Sequence, residues 1–359
     1  MLLYTGKHCT STGLNSPMRK WTPILLLTLY LLAVGVTIGL KNQDWILAQG
    51  MTLWQQQPAP VTFERVTEET VSSPPKPAEV KLVDDEKPPE PPKVKEPEAK
   101  MMVNANNIPV QGTCALQPDP NPPVNGRPGP AVNPVTLYRF RRPTDVQTAN
   151  LQGGAGYTPN EYQAMANATN YGQRFLYDIN GQPVNNAPIV VIHETVSDVY
   201  SAVNLFQNPQ ASEDNQASYH TLIMLTGDIV YIVPPDLRAF GAGNSVFASS
   251  TGTETVKTHA KRPPSVNNFA YHVSLETPVD GRNNANSHSG YTNAQYQSLA
   301  WLVAKTGVPD ARITTHAAVD RSGERRDPRS FDGQLFSQYL QSYTRTQEIM
   351  ISCQSAYLN

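Results

Sequence analysis

Three residues in the second half of the chain carry side chains that could bind a metal ion together. His193 ends the most apolar run of the sequence, PIVVIH, and His316 ends the short strand-like segment ARITTH. Asp327 follows a charged loop that also contains a glycine. Two imidazoles and one carboxylate suit Zn²⁺ and leave a fourth position for water. A lone histidine at the end of a buried strand is also common as a satisfied core residue, and that interpretation competes with the metal site.

A carboxylate that could act on a bound water molecule ends the segment YHVSLE. Alternation along a strand predicts one apolar face and one polar face, the latter formed by His272, Ser274 and Glu276. A face of this kind normally points to solvent, which is one interpretation. The other places Glu276 at the floor of a cleft, close to the water that the metal activates.

The elements around these residues predict an α/β domain with a mixed β-sheet packed by helices. The run PIVVIH is typical of a strand buried on both faces, because no polar residue interrupts it. Asn180-Gly181 and Thr226-Gly227 each predict a hairpin turn between short strands. Helices are predicted over 197–206, from the N-cap Thr292 to the stop at Gly307, and over 333–350.

The N-terminal part predicts a membrane anchor. Residues 21–40 carry no charge, and twenty helical residues span about 30 Å, the thickness of the hydrocarbon core of a bilayer. Positive charges precede this run, so residues 1–20 are expected in the cytoplasm and the chain after Lys41 outside. A cleaved signal peptide is the alternative, but the apolar run is long for one and the sequence near Ala48 is a poor cleavage site.

The composition changes again between the anchor and the domain. Eighteen of the 32 prolines fall between Pro58 and Pro134, mixed with charges of both signs. Such a segment buries too little apolar surface to fold, so residues 41–107 are predicted to be a disordered, Pro-rich tether. Residues 108–185 are expected to form an N-terminal extension of unknown role, and 186–359 the domain that carries the candidate metal site. A formal net charge of −2 makes nucleic acid an unlikely partner class.

The three cysteines are consistent with this topology. Cys9 is expected on the cytoplasmic side, whereas Cys114 and Cys353 both lie outside, one near each end of the predicted globular part. A disulfide between these two would close a long loop and contribute about 4–5 kcal/mol in the loop-closure model. Two unpaired thiols are the alternative.

Six segments of the chain occur in an order typical of one enzyme family. They are IVVIHET, SYHTLIMLTGDIVYIVP, AFGAGNS, VSLE, YTNAQYQSLAWLVA and RITTHAAVDRSGERRDP. In this order they resemble the type-2 N-acetylmuramoyl-L-alanine amidases, of the superfamily of phage amidase-lysozymes and peptidoglycan-recognition proteins. The resemblance spans about residues 186–340. It implies the superfamily's mixed sheet, one Zn²⁺ per chain, and cleavage of the amide bond between N-acetylmuramic acid and L-alanine.

The resemblance also assigns roles to individual residues. By position, the zinc ligands are His193, His316 and Asp327, and Glu276 is the general base. Arg325 stands where the family usually has a lysine that faces the developing oxyanion. Arginine keeps the charge but is bulkier.

Two further positions are assigned to substrate binding. His220, in SYH, matches a position common in the family and is expected either to line the cleft or to be structural. The family frequently has Trp-His where this chain has Phe240-Gly241, which makes Phe240 the corresponding candidate for a sugar or peptide contact.

The predicted anchor and the resemblance together predict a single-pass enzyme of the inner (cytoplasmic) membrane, with its N-terminus in the cytoplasm and its catalytic domain in the periplasm. Its expected partners are peptidoglycan or muramyl-peptide fragments and, through 21–40, the membrane; the catalytic domain is expected to be a monomer. Two alternatives remain open. One is a peptidoglycan-binding module that does not cut, and the other is an envelope-spanning scaffold with a tether of the TonB type.

Overall fold

The computed structural model describes 61–66, 114–122, 128–132, 136–143 and 157–352. The predicted tail, the anchor over 21–40 and almost all of the tether lie outside these residues. In the described part of the chain, no helix combines the length and the apolar character that crossing a bilayer requires.

The described residues contain eleven strands and five α-helices. The strands are β1 (Glu64–Arg65), β2 (Glu161–Gln163), β3 (Tyr171–Gln173), β4 (Ile189–Glu194), β5 (Thr221–Ile223), β6 (Ile229–Tyr231), β7 (Leu237–Ala239), β8 (Phe247–Ser249), β9 (Gly252–Glu254), β10 (Ala270–Leu275) and β11 (Ile313–Thr315). The helices are α1 (Leu137–Phe140), α2 (Val199–Gln207), α3 (Asn293–Ala304), α4 (His316–Val319) and α5 (Gly333–Gln341).

Seven of the strands form one mixed sheet in the order β1-β2-β6-β5-β10-β4-β11. The pairs β2–β6, β5–β10, β10–β4 and β4–β11 are parallel, whereas β1–β2 and β5–β6 are antiparallel. The predicted mixed sheet is therefore confirmed. The β5–β6 pair is the hairpin expected at Thr226-Gly227, where Gly227 has a φ of +87° that favours glycine.

Strand β4 lies between two parallel neighbours, and all six of its residues are buried. Val190 and Ile192 belong to the core beneath α3 and α5, whereas Ile189 and Val191 belong to a cluster on the opposite face. The prediction that the run PIVVIH is a strand buried on both faces is therefore confirmed.

Helix α3 covers one face of the sheet. It begins at the predicted cap, since the Thr292 side chain accepts a hydrogen bond from the Gln295 amide while the Gln295 side chain accepts one from the Thr292 amide. Gly307 follows its end with a φ of +64°. Helix α2 covers the other face through Val199, Ala202, Val203 and Phe206, at the helical spacing seen in the sequence.

The part of the chain before residue 186 is built into the same sheet. Strand β2 pairs with β6, β1 pairs with β2, and Phe140 of α1 stacks on Tyr231 of β6 with ring centroids 4.8 Å apart. The predicted boundary at 186 therefore does not separate two bodies, and Glu64–Arg65 of the predicted tether is a strand. The physical reason is the exposed edge of β6, which β2 pairs with and so protects.

Candidate metal centre

The candidate ligands meet at the carboxyl edge of the parallel strands. His193 is the fifth residue of β4, and His316 follows directly after β11. Strand β11 runs parallel to β4, with Thr315 opposite Ile192. The residues that follow these two, His316 and His193, therefore lie side by side. The two imidazole rings are accordingly 4.6 Å apart between centroids. Chain topology alone brings together two histidines that are distant in sequence.

Asp327 completes the cluster from the loop after α4. Its backbone carbonyl accepts a hydrogen bond of 2.9 Å from the amide of Ala317, which returns the loop to the start of that helix. A carboxylate oxygen of Asp327 lies 3.3 Å from Nδ1 of His193 and 3.0 Å from Nδ1 of His316. One potential ligand atom from each of the three residues lies within 4.8 Å of the others.

These distances fit a tetrahedral metal ion. Ligands at about 2.0–2.2 Å from zinc are separated from one another by roughly 3.3–3.6 Å in a tetrahedron. The separations of 3.3 Å and 3.0 Å to Asp327 are close to that value. Two nitrogens and one oxygen leave a fourth position, which is the donor set of a catalytic rather than a structural zinc site.

The electrostatics of the cluster also suit a cation. Burial, and after it the charge of His316, lowers the pKa of His193 to about 4, so this imidazole is neutral at pH 7 with a lone pair available. Burial alone would raise the pKa of Asp327. The hydrogen bonds and charges of the two histidines outweigh that effect and lower its pKa below the usual range, which keeps it ionised.

A buried ion pair braces the strand and the loop that carry the ligands. Glu194 follows His193 in β4, and Arg329 comes two residues after Asp327. The Arg329 guanidinium donates to the Glu194 carboxylate at 2.6 and 3.1 Å, and its backbone amide donates at 3.0 Å. The remaining guanidinium hydrogen bonds go to backbone carbonyls of the 281–285 loop. One contact thus connects β4, the Asp327 loop and a third segment.

Glu276 lies one residue beyond β10 and is 6% exposed. Ser274, two residues earlier in β10, is opposite His193 of β4. Strand alternation therefore places the Glu276 side chain on the same face of the sheet as that of His193. Its carboxylate accepts hydrogen bonds from the amide of Leu225 at 2.9 Å and, at the start of α2, from the amide of Val199 at 3.3 Å. A guanidinium nitrogen of Arg282 is 3.1 Å away. Both faces of β10 are buried, so the solvent-facing interpretation of the polar face is wrong.

The other predicted site residues differ in their surroundings. Arg325 is exposed, and its charge lies close enough to His193 to lower the pKa of that imidazole. Phe240 is half-buried, with the Arg238 guanidinium 5.2 Å from its ring centroid. His220 is fully buried, and its ring nitrogens lie 2.9 Å from the His272 amide and 3.1 Å from the Leu237 carbonyl. That placement argues for the structural alternative at His220, because no ring atom is left for a substrate.

Tyr219 is a site residue that no sequence motif singles out. Its ring centroid is 4.5 Å from that of His193, and the ring also packs edge-on against Phe206 of α2. Burial, and then the charge of Asp327, raises the pKa of its phenol above the usual range. In the motif SYH the histidine, His220, is the fully buried residue, whereas its neighbour Tyr219 packs beside the candidate ligand His193.

Cys114 is disulfide-bonded in the structure. The other two cysteines lie outside the described residues, so pairing with Cys353 stays a prediction. The described backbone next to Cys114 is tied to the domain, because the Ala115 amide donates to the Arg174 carbonyl at 2.9 Å and the Leu176 amide donates to the Ala115 carbonyl at 3.0 Å.

Comparison with known families decides the assignment. Residues 180–330 match the family described as N-acetylmuramoyl-L-alanine amidase, Amidase_2. This segment contains His193, Glu276, His316 and Asp327. The chain carries a type-2 N-acetylmuramoyl-L-alanine amidase domain. Comparison with curated protein sequences gives no match.

Solved structures similar to this amidase domain come from bacteria and an insect. AmpD of Citrobacter freundii is 24% identical and aligns over 45% of this chain and 86% of its own, with a TM-score of 0.30. AmpDh3 of Pseudomonas aeruginosa, solved in complex with anhydromuramic pentapeptide, is 19% identical over 43% of this chain and 59% of its own, with a TM-score of 0.32. The Drosophila peptidoglycan recognition protein SD is 16% identical over 46% and 86%, with a TM-score of 0.26.

Proposed function

We propose that this protein is a zinc-dependent amidase that hydrolyses the bond between N-acetylmuramic acid and L-alanine in peptidoglycan or its muramyl-peptide fragments. The family match supports the reaction class. The observation that carries the zinc dependence is the convergence of His193, His316 and Asp327 within 4.8 Å at one edge of the sheet. A zinc ion bound there would supply a Lewis acid that polarises the substrate carbonyl and lowers the pKa of water.

Glu276 is the residue that moves the proton. A carboxylate has about four acceptor sites on its two oxygens. Two backbone amides and Arg282 use three of them, which fixes the group and leaves one site for the attacking water. In the proposed reaction Glu276 takes the proton of that water and returns it to the departing alanine nitrogen, a role worth about 10²–10⁴-fold in rate.

Arg325 and Tyr219 are proposed to act on the substrate from the mouth of the site. Arg325 is exposed on the loop that ends at Asp327, where its guanidinium can approach a carbonyl oxygen that develops negative charge. Tyr219 presents a protonated phenol beside His193, because its pKa is raised. A protonated hydroxyl can donate a hydrogen bond to the same oxygen.

The test is a comparison of variants of the full chain on a muramyl-peptide, with zinc content measured on each protein. Glu276→Gln is expected to bind one zinc and to lose about 10²–10⁴-fold in turnover. Glu64→Gln, in β1 at the opposite edge of the sheet, is the matched control and should leave turnover unchanged. Near-normal turnover of Glu276→Gln would refute the base assignment.

The unsubstituted protein separates the proposal from its alternatives. Stoichiometric zinc together with release of stem peptide supports the amidase. Tight association with peptidoglycan without release supports the non-catalytic binding module. A chain that neither binds zinc nor releases peptide would support the envelope-spanning scaffold and refute the proposal.

The location of the enzyme is part of the proposal. The uncharged segment 21–40 is proposed to anchor the chain in the cytoplasmic membrane, with the amidase domain on the periplasmic side. Cell fractionation tests this directly. The full chain should sediment with membranes and resist alkaline carbonate, whereas a chain beginning at residue 41 should not. A full-length protein that is released by carbonate would contradict the anchor.

A further inference from the structure

A third histidine touches the candidate metal centre from the neighbouring strand. His272 lies in the middle of β10, is fully buried, and is opposite Val191 of β4, two residues before His193. Its Nδ1 is 2.9 Å from Nε2 of His193. Nε2 is the ring nitrogen of His193 that points away from Asp327, whose carboxylate faces Nδ1.

Gly241 provides the space that the His272 ring occupies. A Cβ atom at position 241 would lie 2.6 Å from both Cγ and Nδ1 of His272. This distance is shorter than Cβ atoms show to non-bonded neighbours in proteins. Any side chain at 241 would therefore push the imidazole away from His193. The position of the His272 ring thus depends on the absence of a side chain at 241.

The backbone of His272 is held as firmly as its ring. Its amide donates to Nδ1 of His220 at 2.9 Å, and its carbonyl accepts from the His220 amide at 3.0 Å. Nε2 of His220 is 3.1 Å from the carbonyl of Leu237. His220 therefore holds the backbone of His272 in place beside His193, a structural role that does not require contact with substrate.

The hydrogen bond between His193 and His272 decides which nitrogen of His193 is free to bind a cation. A histidine that binds a metal through Nδ1 carries its proton on Nε2, and that proton needs an acceptor. In the described part of the chain, Nδ1 of His272 is the atom within hydrogen-bonding distance. His272 must then carry its own proton on Nε2, an atom that is buried without a partner among the described residues.

We propose that His272 is a positioning residue of the metal centre, which orients the His193 ring and fixes the tautomer that presents Nδ1 to the cation. This inference rests on the proposed zinc site and adds a residue to it. Partners that hold metal-ligating histidines in this way typically contribute about 10–100-fold to metal affinity.

The experiment measures zinc affinity of the full chain by competition with a chromophoric chelator. His272→Leu fills a similar volume with an apolar side chain and removes the acceptor Nδ1. This variant is expected to weaken zinc binding about 10–100-fold. His272→Asn places an amide oxygen near the position of Nδ1 and should recover most of the affinity. Unchanged affinity in His272→Leu would overturn the proposal.

A second pair of variants leaves His272 itself in place. Gly241→Ala should displace the imidazole and weaken zinc binding to a similar degree. Gly243→Ala is the matched control, because a Cβ there would meet no atom within 4 Å. Equal zinc affinity of the two alanine variants would contradict the role assigned to the Gly241–His272 pair.

Nitrogen-15 spectra of histidines in the zinc-loaded, unsubstituted protein give a reading that does not depend on folding of a variant. His193 is expected to show a protonated Nε2 and a metal-bound Nδ1. Zinc bound through Nε2 of His193 would refute the tautomer assignment. If the unsubstituted protein binds no zinc, the proposed function fails. If it binds zinc and His272→Leu binds equally well, only this inference fails.

Discussion

Substituting Arg329 by methionine would remove the guanidinium that pairs with the buried Glu194 carboxylate. The Glu194 side chain is 0% exposed and that of Arg329 is 5% exposed, and their closest nitrogen-to-oxygen distance is 2.6 Å. The Thr277 hydroxyl at 3.1 Å and the backbone amide of residue 329 at 3.0 Å stay on the carboxylate as uncharged donors, and Nε2 of His288 lies 3.2 Å from it. Removing one member of a buried ion pair costs about 3–5 kcal/mol, because the remaining charge cannot return to water.

That cost is large for a domain of this size. For a domain of about 150–250 residues, each kcal/mol lowers the melting temperature by about 2–4 °C, so Arg329→Met should lower it by about 6–20 °C. Replacing Glu194 by leucine in the same protein removes the unpaired charge and should recover part of the loss. Full recovery is not expected, because Arg329 also binds carbonyls of the 281–285 loop.

Urea denaturation with EDTA present measures the free energy of unfolding without any contribution from bound metal. Arg262→Met is the matched control, because its ion pair with Asp214 is on the surface, with side chains 41% and 72% exposed. Surface pairs contribute at most about 1 kcal/mol. If Arg329→Met and Arg262→Met lower the free energy of unfolding equally, the bracing role assigned to the Glu194–Arg329 pair is refuted.

Three further outcomes are expected. Arg325→Ala should bind zinc normally and lose about 10²–10³-fold in kcat on a muramyl-peptide, as expected for the loss of one oxyanion contact. Arg325→Lys should retain most of the activity, and an equal kcat for the two variants would contradict the oxyanion role of Arg325. Phe140→Ala should lower the free energy of unfolding by about 3–5 kcal/mol, because this ring is only 1% exposed. Tyr138 in the same helix is 54% exposed, so Tyr138→Ala should change the free energy of unfolding by less than about 0.5 kcal/mol. Adding zinc at about 1,000 times its dissociation constant should stabilise the EDTA-treated protein by about 4 kcal/mol; no shift in the urea midpoint would exclude a zinc site.

Periodicity predicted the elements whose environment is uniform along their length. Strand β4 is buried on both faces and reads as an apolar run, and α3 has its cap and stop at Thr292 and Gly307. The first strands of the sheet had no such signal. Glu161–Gln163 has the sequence EYQ, and its Glu161 accepts a hydrogen bond of 2.6 Å from Arg141, which also donates to Glu348. A buried contact across such sequence separation cannot be found from local pattern.

The predicted final helix and the turn at Asn180-Gly181 show a second limit. The helix expected over 333–350 ends at Gln341, and the chain beyond it is connected to α3 by a hydrogen bond of 3.0 Å from the Thr346 amide to the Ala304 carbonyl. At Gly181 the turn forms with a φ of +79°, but only a single bridge, between Tyr177 and Pro183, flanks it. The local signals were right, and the lengths were set by tertiary contacts.

The sequence could indicate the candidate ligands because their residue types restrict the chemistry, but it could not indicate what supports them. Strand alternation places His272 only on a polar face, and no pattern distinguishes Tyr219 from its neighbour His220. Which of two adjacent residues points inward depends on the register of β5 against β10, in which Leu222 is opposite Ser274. Register is set by the hydrophobic patterns of both strands and by the turns beside them, so the three residues of the motif SYH do not show it by themselves.

The polar face of β10 is the clearest departure from a simple pattern. His272, Ser274 and Glu276 are all buried, although burying polar groups costs free energy unless they are hydrogen-bonded. Among the described residues, the Ser274 hydroxyl and Nε2 of His272 have no partner. Departures of this kind concentrate at functional sites. The polar residues of β10 are therefore best explained by the strand beside them, where His193 needs an acceptor for its second nitrogen and the proposed reaction needs a carboxylate.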